Sequence, residues 1–248
     1  MKIAIWGRDG TGKSTLSDAL GQMFAKHGVT AIIDTDLTQP TLPIRVNGQK
    51  LRSESSLGTA ISGIGVDDAP RYLHQHPRNK HLFYAGLTDH DEYLSFELGL
   101  DASEAARGFV ERCEVFADTI ILDLSGQRTD PFLPVALSSS DKLIISITPD
   151  VQGVCWFNAV KPFFEAMNVS ERIVPVAAMA IHPSMKAIEK AADIRFFTVL
   201  PFVREFRQSG VEAVSTPTAI RYMREVRNLH ALLKGVMRNE PDITRTVI

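Results

Sequence analysis

Gly7-Arg8-Asp9-Gly10-Thr11-Gly12-Lys13-Ser14 decides how this chain folds, because it meets the pattern G-x-x-x-x-G-K-[ST] at every defined position. Residues 2–6 before it read as a short buried strand, and residues 13–26 after it place apolar side chains at helical spacing. A strand, a glycine-rich turn and a helix in that order make a phosphate cradle. Gly7, Gly10 and Gly12 let the backbone curl so that its N–H groups, those of Arg8, Asp9 and Thr11 among them, face a β-phosphate. The helix beginning near Lys13 turns its positive dipole end to the same anion. Lys13 is expected to neutralise the β- and γ-phosphate oxygens, Ser14 to hold Mg²⁺, and Thr15 to donate to a nearer phosphate. From average residue usage, a chance match in 248 residues is on the order of 1%, so a merely glycine-rich turn is the weaker reading.

Outward from this loop, apolar runs recur at residues 31–34, 81–85, 119–124, 142–147, 173–178 and 196–200. Helical spacing lies between most of them, at 103–116, 154–167 and 185–192. That alternation predicts an α/β fold, a mostly parallel central sheet flanked by helices, in one domain spanning 1–248. The strands are continuous Val/Ile/Leu runs without polar alternation, as a sheet covered on both faces requires. Residues 37–80, with Pro40, Pro43, Pro70 and Pro77, break the rhythm and read as a long irregular excursion with short helices at most.

Composition narrows the classes. At 248 residues and 44% apolar content the chain buries a substantial core, and a formal net charge of −2 excludes a protein that is cationic all over. Cys113 and Cys155 form no C-x-x-C pair, which argues against a disulfide framework or thiolate metal site and fits a reducing compartment. The run from Ile3 to Trp6 ends at Gly7, too short for a signal-peptide core, and no stretch approaches the roughly 18 apolar residues of a membrane span. A cytoplasmic protein is expected. His74 and His76, with His81 nearby, read as spare, solvated histidines rather than a metal site, since no carboxylate or thiolate shares their spacing. Residues 176–182 carry no carboxylate of the guanine-reading Asn/Thr-Lys-x-Asp kind, which favours adenine.

Three further motifs follow the strands in order: Asp34-Thr35-Asp36, then Asp123-Leu124-Ser125-Gly126, then Thr148-Pro149-Asp150. With the phosphate loop they resemble the MinD/ParA family of P-loop ATPases, over residues 1 to about 235. The resemblance implies ATP and Mg²⁺ as cofactors, slow partner-stimulated hydrolysis, and a homodimer in the ATP state. It implies that Asp36 orients the attacking water and lies near the metal, that Asp34 supports the site, and that Asp123 binds Mg²⁺ through water. Gly126 would sense the γ-phosphate, and Pro201 would lie near the adenine. Phosphoryl transfer is mostly positioning and charge neutralisation, which is what carboxylates, a lysine and a metal supply. The chain departs from the family twice. Arg8 stands where the family carries a signature lysine that reaches the partner's nucleotide, and the asparagine that reads adenine has no counterpart in 176–182. Arginine keeps the charge but not the geometry of lysine.

Near the end of the chain, Arg224, Arg227, Lys234 and Arg238 fall in a stripe of roughly 80° at 100° per residue, opposite an apolar face. They form a candidate surface for non-specific DNA or an acidic partner, against the plainer reading of a solvated helix face. Pro241 and the β-branched residues after it discourage a terminal amphipathic helix, so direct membrane insertion is not expected. The leading expectation is a positioning or assembly switch serving DNA partition, a division or motility apparatus, or a pilus or secretion assembly. The rivals are a slow or non-catalytic ATP-dependent scaffold and a small-molecule kinase with Arg204, Arg207 or Arg221 in a lid.

Overall fold

Strand β1 (Lys2–Gly7) alternates its side chains between two cores: Ala4 and Trp6 face one, Ile3 and Ile5 the other. The computed structural model describes residues 1–47, 49–62, 68–92, 97–181, 185–206, 210–211 and 214–235. After β1 come α1 (Lys13–Phe24), β2 (Thr30–Asp34), α2 (Leu42–Arg45), α3 (Leu57–Ser62), β3 (His74–His76) and β4 (Asn79–Ala85). Then follow α4 (Ala102–Phe116), β5 (Thr119–Asp123), α5 (Phe132–Ser139), β6 (Lys142–Ile147), α6 (Val151–Ala166), β7 (Ile173–Ala180), α7 (Lys186–Ala192), β8 (Thr198–Pro201) and α8 (Pro217–Leu233).

The eight strands form one sheet in the order β3-β4-β2-β5-β1-β6-β7-β8, in which only β3 runs antiparallel, against β4. The predicted α/β architecture is therefore present. One core lies between the sheet and α3, α4, α5 and α6, centred on Phe109, Phe132 and Phe164; the other lies under α1, α2 and α8, centred on Leu16, Leu20, Val226 and Leu229. Both faces of β2 and β5 are buried, which explains why these strands read as unbroken apolar runs. Helix α1 carries the chain from β1 past β5 to β2, whereas after β5 the chain crosses to β6, β7 and β8 on the other side of β1. The strand order thus reverses beside β1, and a crevice opens at the strand ends there.

Two elements differ from expectation. His74, Gln75 and His76, read as solvated loop, form the edge strand β3, with a His74 ring nitrogen 3.0 Å from the Ser55 carbonyl and His76 Nδ1 accepting from Arg78 N at 3.1 Å. Helix α5 carries Pro134 inside its first turns and is apolar nearly all round, so it shows no helical stripe. Among the described residues of 37–80 are α2, of 4 residues, α3, of 6, and two short 3₁₀ turns, as an excursion with short helices predicts, and the strand β3, which it does not. Among the described residues no helix is long and apolar enough to cross a membrane. Arg207, Arg238 and the chain beyond residue 235 lie outside the described residues.

Candidate functional site

The phosphate loop folds as its glycines predict. Gly10 and Gly12 adopt left-handed φ of 76° and 77°, a region that side chains resist. Thr11 Oγ1 donates to the Arg8 carbonyl at 2.9 Å and Ser146 Oγ of β6 donates to the Thr11 carbonyl at 3.1 Å, so the curl is braced from within and from the sheet. Gly7 has no room to be otherwise: a Cβ there would come within 2.3 Å of the Ser146 carbonyl. Lys13 opens α1 with its side chain only 8% exposed, and its Nζ donates to the Arg8 carbonyl at 2.9 Å.

Asp9 to Thr15 line one wall of a cleft of about 380 Å³, and Asp34, Asp36 and Asp123 line the facing wall. The cleft lies where β1, β2 and β5 end, so three segments distant in sequence meet across it. Asp36 accepts from Thr38 N at 2.9 Å, and its own N–H donates to Asp34 Oδ1 at 3.2 Å. Asp34 thus braces the Asp36 backbone. Burial pushes the Asp34 carboxyl up, as does the Asp123 charge, against the pull of Arg45.

Gly126 comes to the loop through Asp9. Its N–H donates to Asp9 Oδ1 at 3.0 Å, and the same oxygen lies 3.4 Å from Lys13 Nζ. Asp9 therefore holds the two groups that the sequence assigns to phosphate. Arg8 does not face the cleft: its Nη2 donates to Gln152 Oε1 in the first turn of α6 at 2.8 Å, and its Nη1 is buried without a hydrogen bond. Pro201 closes the far end of the cleft with Phe202 and Met179.

Three features of the site escape sequence reading. Arg45 spans Asp18, Asp34 and Asp123 from behind the cleft. Asp130 joins the two carboxylate loops: it accepts from Thr35 Oγ1, from Ser125 N at 3.0 Å and from Phe132 N at 2.8 Å. Burial raises its carboxyl to about 6 despite these bonds. Met179 sits at φ 59°, within the irregularity between Ala177 and Ala180 in the β7–β8 pairing, with its Sδ near Gly12. An aspartate in 125–130 and an arginine amid the apolar positions of α2 were the available signals for the first two. For Met179 there was none.

The basic residues of α8 stand apart from the cleft. Arg224 and Arg227 are exposed and Lys234 follows the helix, but Arg224 Nη2 pairs with Glu225 at 3.0 Å.

No protein-family model matches the sequence, and no curated protein matches it. Solved structures do. The septum site-determining protein MinD with Mg-ADP from Pyrococcus horikoshii superposes at TM-score 0.72 and 14% identity, over 96% of this chain and 99% of that one. A putative plasmid partition protein bound to AMPPNP, from Borrelia burgdorferi, gives 0.71 at 17% identity over 94% and 98%. A Cyanothece McdA variant in complex with ATP gives 0.69 at 14% identity over 97% and 98%. At such identities the shared property is architecture: the chain has the P-loop fold of the MinD, McdA and plasmid-partition proteins.

Proposed function

We propose that this chain is a Mg-ATP-dependent ATPase whose nucleotide state controls the pairing of two copies, and that it acts in the cytoplasm as a positioning or assembly switch. The observation that carries this reading is the meeting of Lys13, Asp36 and Asp123 across one cleft floored by the phosphate loop. The groups present fit the cofactors. The loop offers a curl of backbone amides and an ammonium, and the opposite wall offers hard carboxylate oxygens of the kind Mg²⁺ takes. Met179, Pro201 and Phe202 give an apolar end for a base. Bound nucleotides in the three similar structures support the reading.

When bound, Mg²⁺ would supply charge neutralisation for the transferred phosphoryl group. Ser14 and Asp123 would hold the metal, with Asp36 close by. The amides from Gly7 to Gly12 and the Lys13 ammonium bind phosphate oxygens, and Thr15 donates to the nearer phosphate. Gly126 donates to the γ-phosphate once Asp9 releases it. Asp36, braced by Asp34, orients the attacking water. Because the Asp9 side chain is 76% exposed, its competition is screened. Asp9→Asn is expected to tighten ATP binding about three-fold at low ionic strength, with the gain vanishing near 0.5 M salt. Weaker binding in the variant would show that Asp9 assists phosphate instead.

Arg8 leaves Gln152 to reach the partner's nucleotide, where a cation from each side offsets the repulsion of two facing triphosphates. Sedimentation velocity tests this: a dimer is expected with ATP or a non-hydrolysable analogue, a monomer with ADP, and a monomer throughout in Arg8→Ala. A wild-type monomer with ATP would discard the dimer and promote the kinase reading, for which exposed Arg204 and Arg221 supply the cations. The scaffold reading draws on the Thr38 bonds that already occupy the Asp36 carboxylate. Docking of DNA or an acidic partner on Arg224, Arg227 and Lys234 remains part of the proposal, weakened by the Arg224–Glu225 pair.

A further inference from the structure

Helix α2 and its C-terminal cap turn Leu42, Arg45 and Val46 inward, at positions i, i+3 and i+4 where a short helix buries its apolar stripe, and leave Ile44 81% exposed. An arginine thus occupies a core position. Its side chain is 7% exposed, its guanidinium lies 5.6 Å from the centre of the Tyr84 ring, and its two terminal nitrogens divide between partners. Nη1 donates to Asp18 Oδ1 of α1 at 2.7 Å; Nη2 donates to Asp123 Oδ2 at 2.6 Å and to Asp34 Oδ2 at 3.2 Å. Burial by itself would lower the arginine's proton affinity, but the surrounding carboxylates raise it well above its ordinary value, so Arg45 is a permanent charge. A charge so deep persists only because it is paired.

The Asp123 side chain is 2% exposed and gives its Oδ2 to Arg45. That carboxylate is also the one assigned to Mg²⁺. A second cation therefore meets Asp123 with a charge-assisted hydrogen bond already made. We propose that Arg45 competes with the divalent cation for Asp123 and so sets the cation concentration at which nucleotide is held tightly. The inference rests on the nucleotide-binding reading above. When the cation takes Asp123, Arg45 keeps Asp18 and Asp34, so α2 is re-tethered to β2 and α1 alone.

The test is calorimetric binding of AMPPNP, from EDTA through rising Mg²⁺, to wild type, Arg45→Met and Arg45→Lys. The half-saturating Mg²⁺ concentration is expected to fall about ten-fold in Arg45→Met, the size of one charge-assisted hydrogen bond removed from the ligating carboxylate. It should fall less in Arg45→Lys, which keeps the charge but cannot span the three carboxylates. Affinity in EDTA should not change. A purely structural role moves the result the other way, because lost structure weakens binding. If Arg45→Met does not fold, Arg45→Lys decides alone. An unchanged or higher Mg²⁺ requirement in a folded variant overturns the proposal, as does lost affinity in EDTA, which would place Arg45 on the nucleotide itself. Wild type that binds no nucleotide at any Mg²⁺ concentration overturns the proposed function and this inference together; wild type that binds, with a Mg²⁺ requirement indifferent to Arg45, overturns this inference alone.

Discussion

Lys13→Ala is expected to abolish the thermal stabilisation that Mg-ATP and Mg-ADP confer on the wild-type protein. A ligand that binds only the native state stabilises it by about 2.7 kcal/mol at a hundred times its Kd. For a chain of this size that corresponds to a rise of roughly 5–10 °C in Tm. The side chain of Lys13 is nearly buried, and its Nζ is held at the loop by the Arg8 carbonyl. The ammonium is therefore positioned before any phosphate arrives, and its removal leaves the anion with backbone amides alone. Calorimetry should find the variant's affinity for either nucleotide too weak to measure at concentrations that saturate wild type. Equal affinity in the two proteins would remove the loop from the binding site.

Asp36→Ala is expected to separate binding from turnover. In the proposed mechanism Asp36 acts on water and not on the nucleotide ground state, so ATP affinity should stay within about three-fold of wild type while phosphate release drops about a hundred-fold or more. The brace from Asp34 and the bonds from Thr38 hold this carboxylate at the cleft wall, a geometry that alanine deletes without opening the core. Asp123→Ala should do the reverse, weakening Mg²⁺-dependent binding first, because that residue lies in the β5 wall and is the proposed holder of the metal. Wild-type phosphate release from Asp36→Ala would take Asp36 out of the mechanism and favour the scaffold reading.

Much of the site was legible because its parts are local. The phosphate loop is contiguous, since a curl of backbone around one anion takes successive residues, and its strand and helix are set by short-range hydrophobic spacing. Asp34, Asp36 and Asp123 were legible as carboxylates at the ends of otherwise apolar strands, and the parallel sheet brought them to one edge. What was not legible depends on partners far apart in the chain. Arg45 lies 27, 11 and 78 positions from its three carboxylates, and Asp9 lies 117 from Gly126. No local pattern records such pairings. Strand β3 escaped because a three-residue polar edge strand has no apolar alternation, and α5 because Pro134 and an all-round apolar surface hide its period.

The sequence by itself determined the architecture and the chemistry on offer: alternating buried strands and amphipathic helices admit a parallel sheet, and a glycine-rich turn before a helix admits a phosphate. Both follow from interactions among near neighbours, whose spacing is written in the chain. The tertiary structure alone decided how the charges are shared. It set Arg8 against Gln152, Asp9 between Lys13 and Gly126, and Arg45 among Asp18, Asp34 and Asp123. Electrostatic pairing in a buried site depends on distance and solvent exclusion. Both arise only when the sheet has brought the strand ends together and α2 has closed over them.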